Sequence, residues 1–362
     1  MAALLISPGA DLRYLTGYEA LPLERLTCLV LPASGDPVMV VPGLEKPAAE
    51  ASPLGGLGLD IVAWAETDDP YALVASHLAA SHPPGAYVTG VAAVGRVIGL
   101  DNHMWAEKVL NFRRVLPGAE QVLAGDVLSD LRMRKTPREI ASLRAAGLTI
   151  DSVHGRVGEW LRAGRTEREV GKDIADAIIA AGHASVDFVI VASGPNGASP
   201  HHEQSDRVIL AGDPVVIDIG GTMPDGYCSD STRNYCIGAP PAEYAEYFAV
   251  LLAGQKAQIE AVKPGITAEE LDAVGRDLIT AAGFGDKFIH RTGHGIGLET
   301  HEEPYIVSGS KRALEPGMAF SIEPGIYLAG QHGARIEDIA ICTETGGERL
   351  NLTTRELVVV DA

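Results

Sequence analysis

The chain has 362 residues, with 29 basic against 48 acidic side chains and a formal charge of −19; that is room for two or three domains at roughly 150 residues each. Such an acidic surface disfavours nucleic acid or anionic membrane as a partner, but leaves clustered carboxylates able to hold divalent cations. No uninterrupted apolar stretch reaches the ~20 residues of a membrane span. The start has no basic segment of a signal peptide. Four cysteines (Cys28, Cys228, Cys236, Cys342) without CxxC or framework spacing are expected to stay reduced, so a soluble cytoplasmic protein is the expectation.

In chain order, Leu26–Leu31 and Val38–Val41 read as strands, Lys46–Ala51 as a short helix and Asp60–Ala65 as a strand. Tyr71–Ala80 reads as a helix and Ala86–Val91 as a strand. This is α/β alternation. Gly55-Gly56-Leu57-Gly58 follows a proline rather than a clear strand, so it is a turn and not a phosphate loop. The expected N-terminal domain is 1–125, followed by a basic helical connector over 126–135 and a second domain over 136–362.

The second domain opens on Thr136-Pro137-Arg138-Glu139, a capping box with proline at the first helical position. Ile140, Leu143, Leu148 and Val153 follow on one expected apolar face. An internal repeat comes next. Gly164-Arg165-Thr166-Glu167-Arg168-Glu169 recurs as Gly265-Ile266-Thr267-Ala268-Glu269-Glu270, a shift of 101 (265 − 164) that also maps Ala180-Ala181-Gly182 onto Ala281-Ala282-Gly283. Each copy predicts a capped helix with a glycine at its end. After each comes a glycine loop with histidine, then a strand ending in a carboxylate: His201 and Asp218 in the first half, His294, His301 and Glu323 in the second. A pseudo-two-fold arrangement would gather these groups around one centre.

Val215-Val216-Ile217-Asp218 is a buried strand running into Gly220-Gly221, and Pro224-Asp225-Gly226 is a turn. A hairpin there brings Asp218 and Asp230 to one end of a sheet, where two carboxylates repel unless a cation or a shared proton intervenes. Alternatively the two are ordinary loop aspartates. His294 sits among Gly293, Gly295 and Gly297, which allow close backbone approach and leave the imidazole as the main polar group. Glu323 ends an apolar run before Pro324-Gly325, and burying it unpaired costs several kcal/mol. Glu337 lies in a strand-like Ala334–Ile341, with an ion pair to Arg335 as the plain alternative; Asp338 faces the other way. Asp218, Asp230, His294, Glu323 and Glu337 are too oxygen-rich for a structural zinc site and too anionic for one divalent ion. Two bridged ions, chosen from Mn²⁺, Co²⁺, Zn²⁺ and Fe²⁺, fit the ligand set better.

These stretches resemble the pita-bread metallopeptidases: methionine aminopeptidase, prolidase, aminopeptidase P and the metal-free relative creatinase. The matching segments are Ile217–Gly220, Tyr227–Arg233, Gly293–Glu302, Ile322–Tyr327 and Arg335–Asp338. Asp11–Tyr18 is similar to the creatinase-type N-domain. The resemblance implies an α/β N-terminal domain before an α+β pita-bread catalytic domain, and cleavage after the first residue of Xaa-Pro peptides. It implies two divalent ions, Mn²⁺ first among them, with Asp218 on one, His294 and Glu323 on the other, and Asp230 and Glu337 bridging. His201 and His301 would contact substrate and stabilise the intermediate, Arg335 would bind substrate, and Glu323 would shuttle the proton. The expected partners are small proline-containing peptides and a second copy of the chain.

Two departures stand out. Asp218 and Asp230 are 12 residues apart (230 − 218), one more than usual in the family, and Tyr305 occupies the place of an arginine that binds the dipeptide carboxylate in several prolidases. The second leaves longer Xaa-Pro peptides open as substrates. The rival readings are a creatinase-like hydrolase or lyase, in which metal ligands are lost, and a non-catalytic binding protein on the same fold. His202, beside His201, is read as solvent-exposed.

Overall fold

The computed structural model describes residues 1–80 and 96–361. The chain divides into two units, Met1–Leu131 and Arg132–Ala362. The expected strand Ala86–Val91 lies outside the described residues.

The first unit is built on a six-stranded sheet of β1 (Ala3–Ile6), β2 (Cys28–Pro32), β3 (Val38–Pro42), β4 (Asp60–Trp64), β5 (Val97–Leu100) and β6 (Glu120–Leu123), in the order β4-β3-β2-β1-β5-β6. Strands β1 to β3 pair antiparallel and the outer pairings are parallel. Helices α1 (Ala10–Thr16), α2 (Lys46–Ala51), α3 (Pro70–Ala80) and α4 (Ala106–Val115) accompany it. Apolar clusters form around Leu5, Val40 and Phe112 and around Ile6, Leu12 and Met39. Pro53–Gly56 is a short 3-10 turn.

Helix α5 (Gly125–Met133) covers most of the expected connector. Beyond it, Thr136 and Glu139 form the capping box of α6 (Pro137–His154). Leu143 and Val153 of α6 are buried as expected, but Leu148 is exposed, because the buried face runs through Ala146, Gly147 and Ile150 instead.

The repeat governs the rest of the second unit. Helices α7 (Glu167–Ala181) and α9 (Ala268–Ala281) both begin at complete capping boxes, Thr166 with Glu169 and Thr267 with Glu270. Gly164 and Gly265 both have φ 89°, a conformation that favours glycine. Their N–H groups donate to Ile209 and Leu314, each at 2.9 Å. The shift is therefore 101 at the helices but 105 at the strands that follow (314 − 209). Asp218 and Glu323 keep that second shift (323 − 218).

The first half contributes β7 (Ser185–Ser193), β8 (Pro214–Thr222) and β9 (Cys228–Ile237), joined by β17 (Val358–Val360) in the order β17-β9-β8-β7. The second contributes β10 (Gly293–Gly295), β11 (Glu302–Ile306), β12 (Ala319–Ile322), β15 (Asp338–Cys342) and β16 (Gly347–Arg349), in the order β11-β10-β12-β15-β16, with a hairpin of β13 (Gly325–Leu328) and β14 (His332–Arg335). Helix α8 (Ala242–Ala261) runs between the halves in sequence. The expected single strand Ala334–Ile341 is two strands, broken at Ile336-Glu337. Its first part pairs with β13 and its second with β12, so the chain changes sheets there.

Strand β10 is narrowly packed. A Cβ on Gly293 would be driven into the Ser321 carbonyl, and one on Gly295 into Glu303. Gly293→Ala should destabilise the chain by about 1–3 kcal/mol, the usual cost of overpacking. It should appear as a lower urea midpoint, and a wild-type midpoint would contradict the close approach.

Candidate metal centre

The β8–β9 hairpin pairs Asp218 with Thr232 and Gly220 with Asp230, without a bulge. Alternation then puts Asp218 and Asp230 on one face. The register runs unbroken to Thr222 opposite Cys228, and the turn Met223–Tyr227 is closed by Met223 N–H donating to the Tyr227 carbonyl at 2.9 Å. Glu337 reaches the same place from the sheet change. Its N–H donates to the Thr232 carbonyl at 3.2 Å, and the Thr232 hydroxyl donates to its Oε2 at 2.8 Å. His294 comes from β10 and Glu323 from the end of β12. The rings of His294 and His301 meet edge to face with centroids 4.0 Å apart.

Asp230, His294 and Glu337 each offer a ligand atom, all within 4.8 Å of one another. Asp218 Oδ1 and Glu337 Oε1 are buried without a hydrogen-bond partner. Burial, then the neighbouring carboxylates, pushes Asp230 and Glu337 well above the usual carboxylate range. Burial also disfavours charge on Glu323, but the His294 hydrogen bond and nearby positive groups outweigh it and pull its pKa down to about 2. His294 Nδ1 lies 3.1 Å from the Gly295 carbonyl, so Nδ1 carries the proton there. Nε2 then faces Glu323 at 3.2 Å and Asp230 at 3.7 Å. A lone pair aimed at two carboxylates needs a cation between them or a second proton. Orphaned oxygens, mutual repulsion and mixed N/O donors all fit divalent metal ions.

Around this cluster lies a cavity of about 670 Å³, lined by the five acidic and imidazole groups together with His201, His301, Arg335, His290, Arg291 and residues of β7. Every site residue expected from the sequence therefore lies at one cavity. Arg335 differs from expectation in its contacts. Its guanidinium donates to Asp218 at 2.5 Å, to the Tyr327 hydroxyl at 2.9 Å, to Thr232 at 3.1 Å and to the Pro200 carbonyl at 3.3 Å. These contacts occupy four of its N–H groups and tie it to Asp218 at the cavity wall. Asp338 is outside the centre, as its opposite facing implies, in a buried pair with Arg233 at 2.7 Å.

Several lining groups were not singled out in the sequence. His290 precedes His294 by four residues in the same glycine loop, a readable signal. Its Nδ1–H donates to the Arg291 carbonyl at 2.7 Å, and its Nε2 accepts from the Tyr327 hydroxyl at 2.9 Å. Burial lowers its pKa and that of His301, the latter to about 4 with help from His294 and Arg291. Both rings are thus neutral near pH 7. Arg291 lies over the Tyr305 ring at 4.3 Å. Glu302 is buried between Arg132 and Lys135, which ties the strand after His301 to the basic segment at the head of this unit.

His202 is not solvent-exposed. Its Nε2 lies 2.8 Å from Glu167, a fully buried carboxylate at the first turn of α7. Glu167 also accepts from the Ser193 N–H and hydroxyl (2.8 and 2.7 Å), the Ser205 hydroxyl (2.6 Å) and the Asn196 amide (3.0 Å). This hub shapes the loop that carries His201 at the cavity mouth. No periodicity marks it, because its partners are scattered over 13 positions of irregular chain (205 − 193 + 1).

Fold and site together define a metal-dependent hydrolase. Residues 141–344 match metallopeptidase family M24, and residues 1–134 match the creatinase/prolidase N-terminal domain. The chain belongs to family M24, and the protein is a metallopeptidase. It is 51% identical to the probable dipeptidase PepE of Mycobacterium tuberculosis, covering 99% of this chain and 92% of the relative. It is 38% identical to the Xaa-Pro dipeptidase of Lactobacillus helveticus, over 98% and 94%. Among solved structures, dipeptidase PepE of Mycobacterium ulcerans superposes with a TM-score of 0.93 at 49% identity, over 100% of this chain and 94% of that one. The prolidase of Thermococcus sibiricus gives 0.90 at 36%, over 99% and 95%.

Burial opposes the charge on Glu167, but hydrogen bonds from Ser205, Ser193 and His202 prevail, and its pKa lies below the ordinary 4.5. The stabilisation from that charge is full above about pH 4.5 and is lost as the pH falls through the lower folded pKa. The stability advantage of wild type over Glu167→Gln should therefore be flat from pH 5 to 7 and shrink in more acid solution. Denaturant titrations over that range check it, and an advantage that grows with acid would contradict the sign.

Proposed function

We propose that this metallopeptidase hydrolyses the bond between a first residue and a following proline, acting on Xaa-Pro dipeptides with two Mn²⁺ ions held by Asp218, Asp230, His294, Glu323 and Glu337. The observation that carries this reading is the gathering of Asp230, Glu337 and His294 at one point, with an orphaned, buried oxygen on each of Asp218 and Glu337 at the same cavity. The relatives called dipeptidase and Xaa-Pro dipeptidase, similar over nearly their whole length, support the substrate class. When bound, the ions supply Lewis acidity toward the scissile carbonyl and acidify water.

The chain's own groups do the remainder. Glu323 accepts a proton from the attacking water and returns it to the leaving prolyl nitrogen. His301, neutral at its depressed pKa, donates a hydrogen bond to the carbonyl oxygen as negative charge develops there. His201, at the mouth, contacts the substrate near the scissile bond. Arg335 fixes the angle of Asp218 and, through Tyr327, of His290. Arg291, stacked on Tyr305, is a cation available to the dipeptide carboxylate, so the tyrosine in place of an arginine does not leave that end unmatched. A reduced, cytoplasmic setting suits the four buried free cysteines, and a homodimer is the arrangement the family resemblance implies.

Chelation should abolish cleavage of Leu-Pro, with Mn²⁺ or Co²⁺ restoring it; activity unchanged after thorough metal removal would refute the mechanism. Glu323→Gln should lower kcat by roughly 10²–10⁴-fold, the range of general acid–base catalysis. Product analysis on Leu-Pro and Leu-Pro-Gly separates dipeptidase from aminopeptidase action, and the reading predicts preference for the former.

A further inference from the structure

Strand β7 forms a wall of the cavity through Phe188 and Ile190, which pair with Gly220 and Asp218 of β8. Simple alternation would send Asp187 to the other face. Instead the register slips between Val186 and Phe188: Val186 pairs with Gly221 and Phe188 with Gly220, leaving Asp187 as an inserted residue. Such a bulge re-aims a side chain, and Asp187 lines the cavity. It is held there by Thr222, on the Asp218 face of β8, whose hydroxyl lies 2.8 and 3.0 Å from the two carboxylate oxygens. Ser185 adds a longer contact at 3.3 Å. Asp187 forms no ion pair with a described residue and stays exposed, so its charge is not offset by the protein.

We propose that Asp187 sets the first-residue preference of this peptidase, selecting substrates whose N-terminal side chain is cationic; this rests on the Xaa-Pro reading. Apart from the carboxylates assigned to the ions, Asp187 is the acid among the described lining residues. Of the two guanidinium groups there, Arg335 is committed to Asp218 and Tyr327, and Arg291 lies in the segment leading into β10, on the other sheet. A dipeptide is a zwitterion. Its carboxylate is drawn to Arg291 and repelled by Asp187, so the first residue lies toward β7. There Ile190 stands opposite Asp218, Phe188 opposite Gly220, and Asp187 furthest from the centre, roughly 10 Å along the strand from Ile190. Apolar wall first and carboxylate beyond match the methylene stem and charged head of lysine or arginine.

The test measures kcat/KM of the Mn²⁺-loaded enzyme on Arg-Pro, Lys-Pro, Leu-Pro and Glu-Pro. Wild type should prefer Arg-Pro and Lys-Pro, least so at high salt. In Asp187→Asn the ratio of Arg-Pro to Leu-Pro should fall about two- to fivefold, the size of an exposed, partly screened ion pair. Asp187→Lys should turn the preference toward Glu-Pro. An equal loss on all substrates, or an unchanged ratio, overturns the proposal while leaving Xaa-Pro hydrolysis standing. Failure of wild type to cleave any Xaa-Pro dipeptide removes both.

Discussion

Four carboxylates gathered with one imidazole at a single cavity, three of them buried, are not stable as a set of bare anions. Each loses its hydration on burial, and each raises the cost of charging the next. Thr232 and Arg335 satisfy one oxygen each of Glu337 and Asp218, yet the other oxygen of each has no donor. Cations are the simplest compensation, and they are also what peptide hydrolysis needs. The same deficit of positive charge that makes the centre costly to build makes it reactive once filled.

A duplicated half delivers these groups. Each copy starts a helix at a capping box, closes it on a glycine, and returns as a strand that delivers a carboxylate: Asp218 midway along β8, not at the end the sequence suggests, and Glu323 just past β12. The matching backbone bonds at Gly164 and Gly265 show that the two copies fold alike, although the loops between helix and strand differ by four residues (105 − 101). That difference falls in chain where insertions cost little. The second half then adds what the first lacks, a strand so close-packed that only glycine flanks His294.

Precision at the centre comes from groups outside the ligand set. Asp218 is oriented by Arg335, which shares Tyr327 with His290. The loop of His201 is gathered by Glu167, and the strand after His301 is tied down by Glu302 between Arg132 and Lys135. Buried networks of this kind are costly when half made and rigid when complete. The histidines of the cavity that sit on irregular chain, His201 and His301, therefore rest on carboxylates that are themselves hydrogen-bonded or ion-paired.

Much of this was legible beforehand, for local reasons. Thr-x-x-Glu boxes, the glycines that end helices, the apolar run into Asp218 and the repeat all depend on neighbours within a few residues, so they survive in a linear reading. Asp218 and Glu323 were legible because each follows an apolar run, where an unpaired charge demands explanation. Other features depended on contacts far along the chain. The split at Ile336-Glu337 follows from a change of strand partner, the commitment of Arg335 from an aspartate 117 positions away, and the partial burial of His202 from Glu167 on another element. The bulge that turns Asp187 into the cavity arises from register against β8, which alternation along β7 does not encode. The sequence alone determined which groups could bind ions; the tertiary pairing decided which donors those groups, and their neighbours, had left to spend.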